Sequence, residues 1–83
     1  MNGVLSEMPN GFQEMIYQAE NAYTKSDLVV YRNKRKYLVR EFHGTKLVHE
    51  YLTDREGAKE EVVYIKSEHK NRWKEYCNGL LRD

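Results

Sequence analysis

An α+β domain, ordered α-β-β-β-(β)-α with an antiparallel sheet flanked by two helices, is what this sequence predicts. Three observations lead there. Apolar residues recur at helical spacing near the start, a long β-branched and aromatic run with period two fills the middle, and a second helical spacing ends the chain.

The first helix is predicted over about Gly11 to Thr24. Phe12, Ile16, Ala19 and Tyr23 fall at spacings of four, three and four, and Met15 and Ala22 widen the same stripe. Asn10 is placed to cap it, with Gln13 at the reciprocal capping position and Pro9 stopping extension upstream. Residues 1–9 read as a loose N-terminal arm.

After Ser26 the period becomes two. Leu28, Val29, Val30 and Tyr31, then Tyr37, Leu38, Val39 and Phe42, then Leu47, Val48, Tyr51 and Leu52 form three predicted strands. Gly44-Thr45 suits a two-residue turn with glycine first, and Asn33-Lys34 is a weaker two-residue turn. Tight turns at both places put Val29, Leu38 and Tyr51 on one face, and Glu41 and His49 on opposite faces.

Thr53 to Ser67 reads two ways. Thr53 with Glu56 makes a capping box that would open one long helix, whereas Gly57 and the run Val62-Val63-Tyr64-Ile65 favour a fourth strand at about Glu60 to Lys66. The strand is the preferred reading. Ser67 then caps a last helix that turns His69, Trp73, Tyr76 and Cys77 inward and ends at Asn78-Gly79, with Leu80 folding back on it.

All 83 residues form a single domain in this reading, without a repeat or linker. No run of apolar residues is long enough for a membrane span. The lone Cys77 has no partner for an internal disulfide, and the chain start lacks a basic, then apolar leader, so a cytoplasmic location is expected.

Catalytic and cofactor signals are missing: there is no phosphate-binding glycine loop, paired-cysteine motif or nucleophile elbow, and no cofactor is expected. His49-Glu50 lacks the second histidine of a zinc-protease helix. Glu41, His43 and His49 have the chemistry of metal ligands but not the geometry, given their opposed faces. Cys77 and His69 would stand about two turns apart on one helix, too far to pair, which leaves a buried thiol. Trp73 and Tyr76, at helical spacing, read as core. The expectation is a protein that binds rather than catalyses.

Charge points to where. The net charge is +1, yet residues 25–46 carry seven bases and two acids, while residues 1–24 and 47–61 are acidic. Tyr31, Arg32, Lys34, Arg35, Lys36, Tyr37 and Arg40 interleave bases with rings around a hairpin. Such residues suit either a protein interface or, through phosphate contacts and base stacking, a nucleic acid. Near-neutral charge with acidic flanks favours a protein partner, including one that itself handles nucleic acid, and leaves direct DNA or RNA binding as the alternative. An unpaired first or last strand would also offer an edge for homodimerisation.

In size, lack of catalytic motifs and mosaic surface the chain resembles the small inhibitors that phages and mobile elements direct at host enzymes or defence complexes, an architectural likeness that carries no residues across. The element order is also similar to that of double-stranded RNA-binding domains, but the tight Gly44-Thr45 turn and the absence of a lysine-rich last helix set that family aside.

Overall fold

The computed structural model describes residues 9–69 and 72–80. Five strands, β1 (Glu14–Asn21), β2 (Ser26–Arg32), β3 (Tyr37–His43), β4 (Lys46–Thr53) and β5 (Trp73–Asn78), form one antiparallel sheet in the order β4-β3-β2-β1-β5, and one helix, α1 (Arg55–His69), joins β4 to β5. The expected pair of flanking helices is therefore corrected to a five-stranded sheet with a single helix among the described residues. The expected loose arm, apart from Pro9, lies outside the described residues.

The first predicted helix is strand β1. Its apolar spacing mimicked a helix because the strand is central, buried on both faces, and carries an irregularity between Met15 and Tyr17 that breaks period two. Ile16, Tyr17, Gln18 and Ala19 are consecutive buried residues, a pattern that an amphipathic helix with one wet side does not produce. The turn to β2 is built by Asn21, whose Oδ1 accepts from the amides of Tyr23 (3.0 Å) and Thr24 (3.2 Å), with Lys25 at φ 58°.

Strands β2, β3 and β4 form where the β-branched run lies, but their register departs from two tight turns. Residues 33–36 separate β2 from β3, so Arg32 faces Tyr37 and Val29 faces Arg40 rather than Leu38. Gly44 takes φ 64°, as a glycine-first turn requires, and His43 opposes Lys46. A bulge between Glu41 and Phe42 then moves Leu52, not Tyr51, opposite Leu38 and brings His49 opposite Glu41, reversing the expected opposed faces.

Residues 55–69 are helix rather than a fourth strand. Asp54, not Thr53, caps it, accepting from the Gly57 amide at 2.8 Å. Ala58, Val62 and Ile65 supply a buried stripe at spacings of four and three, which outweighs the strand preference of Val62 to Ile65. A helix of this length spans about 22 Å. That suffices to cross the sheet from one edge to the other, four inter-strand steps or about 19 Å.

Latches at both edges hold α1 in place. Tyr51 of β4 donates its hydroxyl to Glu61 at 2.7 Å, and Lys66 pairs with Glu75 of β5 at 3.4 Å.

The last predicted helix is strand β5, paired antiparallel with β1. Tyr76 is consequently not core. It is 52% exposed and donates its hydroxyl to Glu20 at 2.8 Å, while Trp73 packs partly buried against the main core. Cys77 is half-buried rather than sealed, with its sulfur 3.8 Å from the Met15 carbonyl. Leu80 is fully buried in the main core, although no helix precedes it.

The core has two parts. On the helix side Tyr17, Ala19, Leu28, Val30, Val39 and Leu80 pack with the α1 stripe. On the other side Val29, Tyr31, Leu38 and Phe42 cluster, with Phe12 and Met15 against them.

Candidate functional site

The cationic hairpin is assembled by Asn33. Its amide donates to the Lys36 carbonyl at 3.0 Å, and its Oδ1 accepts from the amides of Arg35 (3.3 Å) and Lys36 (3.0 Å). Asn33 Nδ2 donates to the Gly11 carbonyl at 3.2 Å, and the Gln13 amide donates to the Arg32 carbonyl at 3.0 Å, so the turn is tied to the segment entering β1. Gly11 adopts φ 86°, a left-handed conformation suited to glycine. Residues 33–36 with Gly11 and Gln13 line a shallow depression. The turn is thus held by side-chain bonds of the kind asparagine makes, which is the signal that a two-residue reading of Asn33-Lys34 overlooked.

Only three of the seven residues expected to form the site are displayed there. Lys34, Arg35 and Lys36 are exposed, and no ion pair engages them among the described residues. Arg32 is paired with Glu14, and Arg40 with Glu50 at 2.9 Å across β3 and β4. Both tyrosines are buried, Tyr31 at 1% exposure and Tyr37 at 9%.

The rings also lie on opposite faces. Tyr31 opposes Leu38 and Tyr37 opposes Arg32, adjacent rows of the ladder, and adjacent rows point to opposite sides. Tyr37 joins the helix-side core, while Tyr31 joins the second cluster, its ring 5.9 Å from the Arg40 guanidinium. Burial raises the Tyr31 hydroxyl above the usual phenol range, with Arg40 acting in the opposite sense. That hydroxyl has no hydrogen-bond partner among the described residues.

The histidines do not complete a metal site. Glu41 and His49 face each other after the bulge, yet no group of three or more His, Cys, Asp or Glu among the described residues is placed to hold an ion. Among the described residues no helix is long and apolar enough to cross a membrane.

Sequence reasoning missed two further surfaces. Strand β4 is an outer strand exposed along most of its length, with Leu47, Val48 and Leu52 outward. A cleft between α1 and the β1–β2 turn is lined by Asn21, Ser26, Glu41, Glu61, Tyr64 and Trp73 among others. The exposure of β4 had no sequence signal, because its composition matches that of the buried strands. The cleft joins residues of four strands, one turn and a helix.

No protein-family model, no curated protein and no solved structure matches this chain.

Proposed function

We propose that this chain is a non-enzymatic binding protein that docks on an acidic surface of a protein partner through the pinned turn Lys34-Arg35-Lys36, working in the cytoplasm as a regulator or inhibitor. One observation carries the reading: three consecutive exposed cations, without an acidic partner among the described residues, sit on a turn held by four hydrogen bonds of Asn33. A pinned turn loses little conformational freedom on binding, and an uncompensated charge cluster speeds encounter with an opposite patch.

Direct nucleic-acid binding is the weaker alternative. It would rest on charge alone, since the tyrosines that would stack on bases are buried in the two cores. The nearby Glu14 and Glu50 already occupy Arg32 and Arg40.

The test compares wild type with the K34E/R35E/K36E variant. A protein captured by the wild type is purified and titrated with both. The expected result is binding that resists nuclease, weakens with salt and falls at least about tenfold in the variant. Binding of bare DNA or RNA with a log–log salt slope near about −2.7, the value for three phosphate contacts, would replace this reading with the alternative. Turnover of a substrate would overturn both.

A further inference from the structure

The cleft beside the β1–β2 turn has the features of a ligand site. Its volume is about 300 Å³, and it is lined in part by Asn21, Ser26, Glu41, Glu61, Tyr64 and Trp73. Ligand pockets run from about 300 to 1,000 Å³, so the occupant is of side-chain size.

Two buried donors in it lack acceptors. Asn21 is 0% exposed, and neither its Nδ2 nor the Trp73 Nε1 has a hydrogen-bond partner among the described residues. Both line the same cleft, and they are directly opposed across β1 and β5, so their side chains leave the sheet on the same side as neighbours. The Asn21 amide is oriented by its own turn: Oδ1 is occupied by the Tyr23 and Thr24 amides, which leaves Nδ2 as the free end. Buried donors without acceptors are rare in folded proteins, and two lining one cleft point to an oxygen that belongs there.

The same lining carries the complementary demand. Glu41 and Glu61 are two carboxylates with no cationic partner among the described residues, and Glu61 accepts only the Tyr51 hydroxyl. The side chains of Trp73 and Tyr64 add two aromatic rings to the lining. Carboxylates beside aromatic faces suit a planar cation that hydrogen-bonds along its edge and stacks on its face, which is guanidinium rather than ammonium.

We infer that this cleft binds arginine, its guanidinium between Glu41 and Glu61 against the Tyr64 and Trp73 rings, and its carbonyl or carboxylate oxygen on Asn21 Nδ2 and Trp73 Nε1. The source is either the free amino acid or an arginine within a peptide. Because both nitrogens are closed to solvent, binding requires side chains of the lining to shift. This site is separate from the cationic turn, so K34E/R35E/K36E leaves it intact.

The only tryptophan in the chain makes the test direct, because its indole N–H gives a single resonance. The labelled full-length protein is titrated with N-acetyl-arginine amide, with free arginine and with the neutral citrulline counterpart of the amide, following the Trp73 indole and Asn21 side-chain amide signals. The expected result is saturable shifts of both signals. Affinity is at least about tenfold weaker for the citrulline compound and, towards the arginine amide, in the E41Q/E61Q variant. Tighter binding of the arginine amide than of free arginine assigns a peptide source, and the reverse order assigns the amino acid.

Trp73→Phe, which removes one donor while keeping a ring, is read at Asn21 and is expected to weaken all arginine probes. The inference is overturned if neither signal shifts up to the solubility limit, or if citrulline binds as well as arginine. It is also overturned if the indole N–H exchanges magnetisation with a long-lived bound water that the probe does not displace, since the cleft is then a hydration site.

Discussion

The two faces of the sheet solve the same burial problem by different means. On one, α1 lays Ala58, Val62 and Ile65 over Tyr17, Leu28, Val30 and Val39, and the hydroxyls of Tyr17 and Tyr51 are satisfied by Glu75 and Glu61 at 2.7 Å. On the other, Val29, Tyr31, Leu38 and Phe42 form a smaller cluster with Phe12 and Met15, and the Tyr31 hydroxyl is unpaired among the described residues. The helix supplies Glu61 to the Tyr51 hydroxyl, and its Lys66 pairs with Glu75, the β5 carboxylate that accepts from Tyr17. The other face has no helix among the described residues to supply such an acceptor to Tyr31.

The largest expected effects test whether the helix side carries more of the stability. Leu28→Ala, fully buried under α1, is expected to cost about 3 kcal/mol, and Leu38→Ala in the smaller cluster about 2 kcal/mol, both read from urea unfolding. An equal or greater loss at Leu38 would break the comparison.

Tyr17→Phe is next, at about 1 kcal/mol, because it removes the hydroxyl bonded to Glu75. Burial alone would raise the Glu75 carboxyl, but the Tyr17 hydroxyl, Lys66 and Asn78 together hold it below the usual carboxylate range. A depressed carboxyl contributes stability above its unfolded-state titration, and that contribution is lost as pH falls through the folded-state value. The gap between wild type and Tyr17→Phe is therefore expected to narrow in acid, measured as unfolding free energy against pH.

Asp27 on the other face has the opposite sign. Burial, reinforced by Glu20, raises its carboxyl above the usual range, so the charged form is disfavoured in the fold. Stability from this group rises as pH falls through the folded-state value. Asp27→Asn is accordingly expected to raise Tm at neutral pH by a small amount that disappears in acid. Smallest is Leu52→Lys on outer strand β4, 57% exposed, expected to change stability by less than about 0.5 kcal/mol.

The candidate site was legible in part. The charge count drew attention to the turn, on which Lys34, Arg35 and Lys36 are exposed. Arg32 and Arg40 were not separable from them in sequence, because Glu14 and Glu50, which engage them, come from other strands. The tyrosines misled for a related reason: a ring next to a base in sequence points the other way in a strand, here into the core. Asn21 and Trp73, the donors of the cleft, lie 52 positions apart and meet only through the β1–β5 ladder.

By itself the sequence determined strands β2, β3 and β4, the glycine-first turn at Gly44 and the absence of long structureless connections between them, since each depends on neighbours within a few residues. Only the tertiary structure decided β1, α1 and β5. β1 gains its identity from partners on both sides, β5 from an edge formed by residues more than fifty positions earlier, and α1 from the apolar sheet face that Ala58, Val62 and Ile65 cover. Local propensity at those segments was weak or pointed the wrong way, and long-range hydrogen bonding and burial outweighed it.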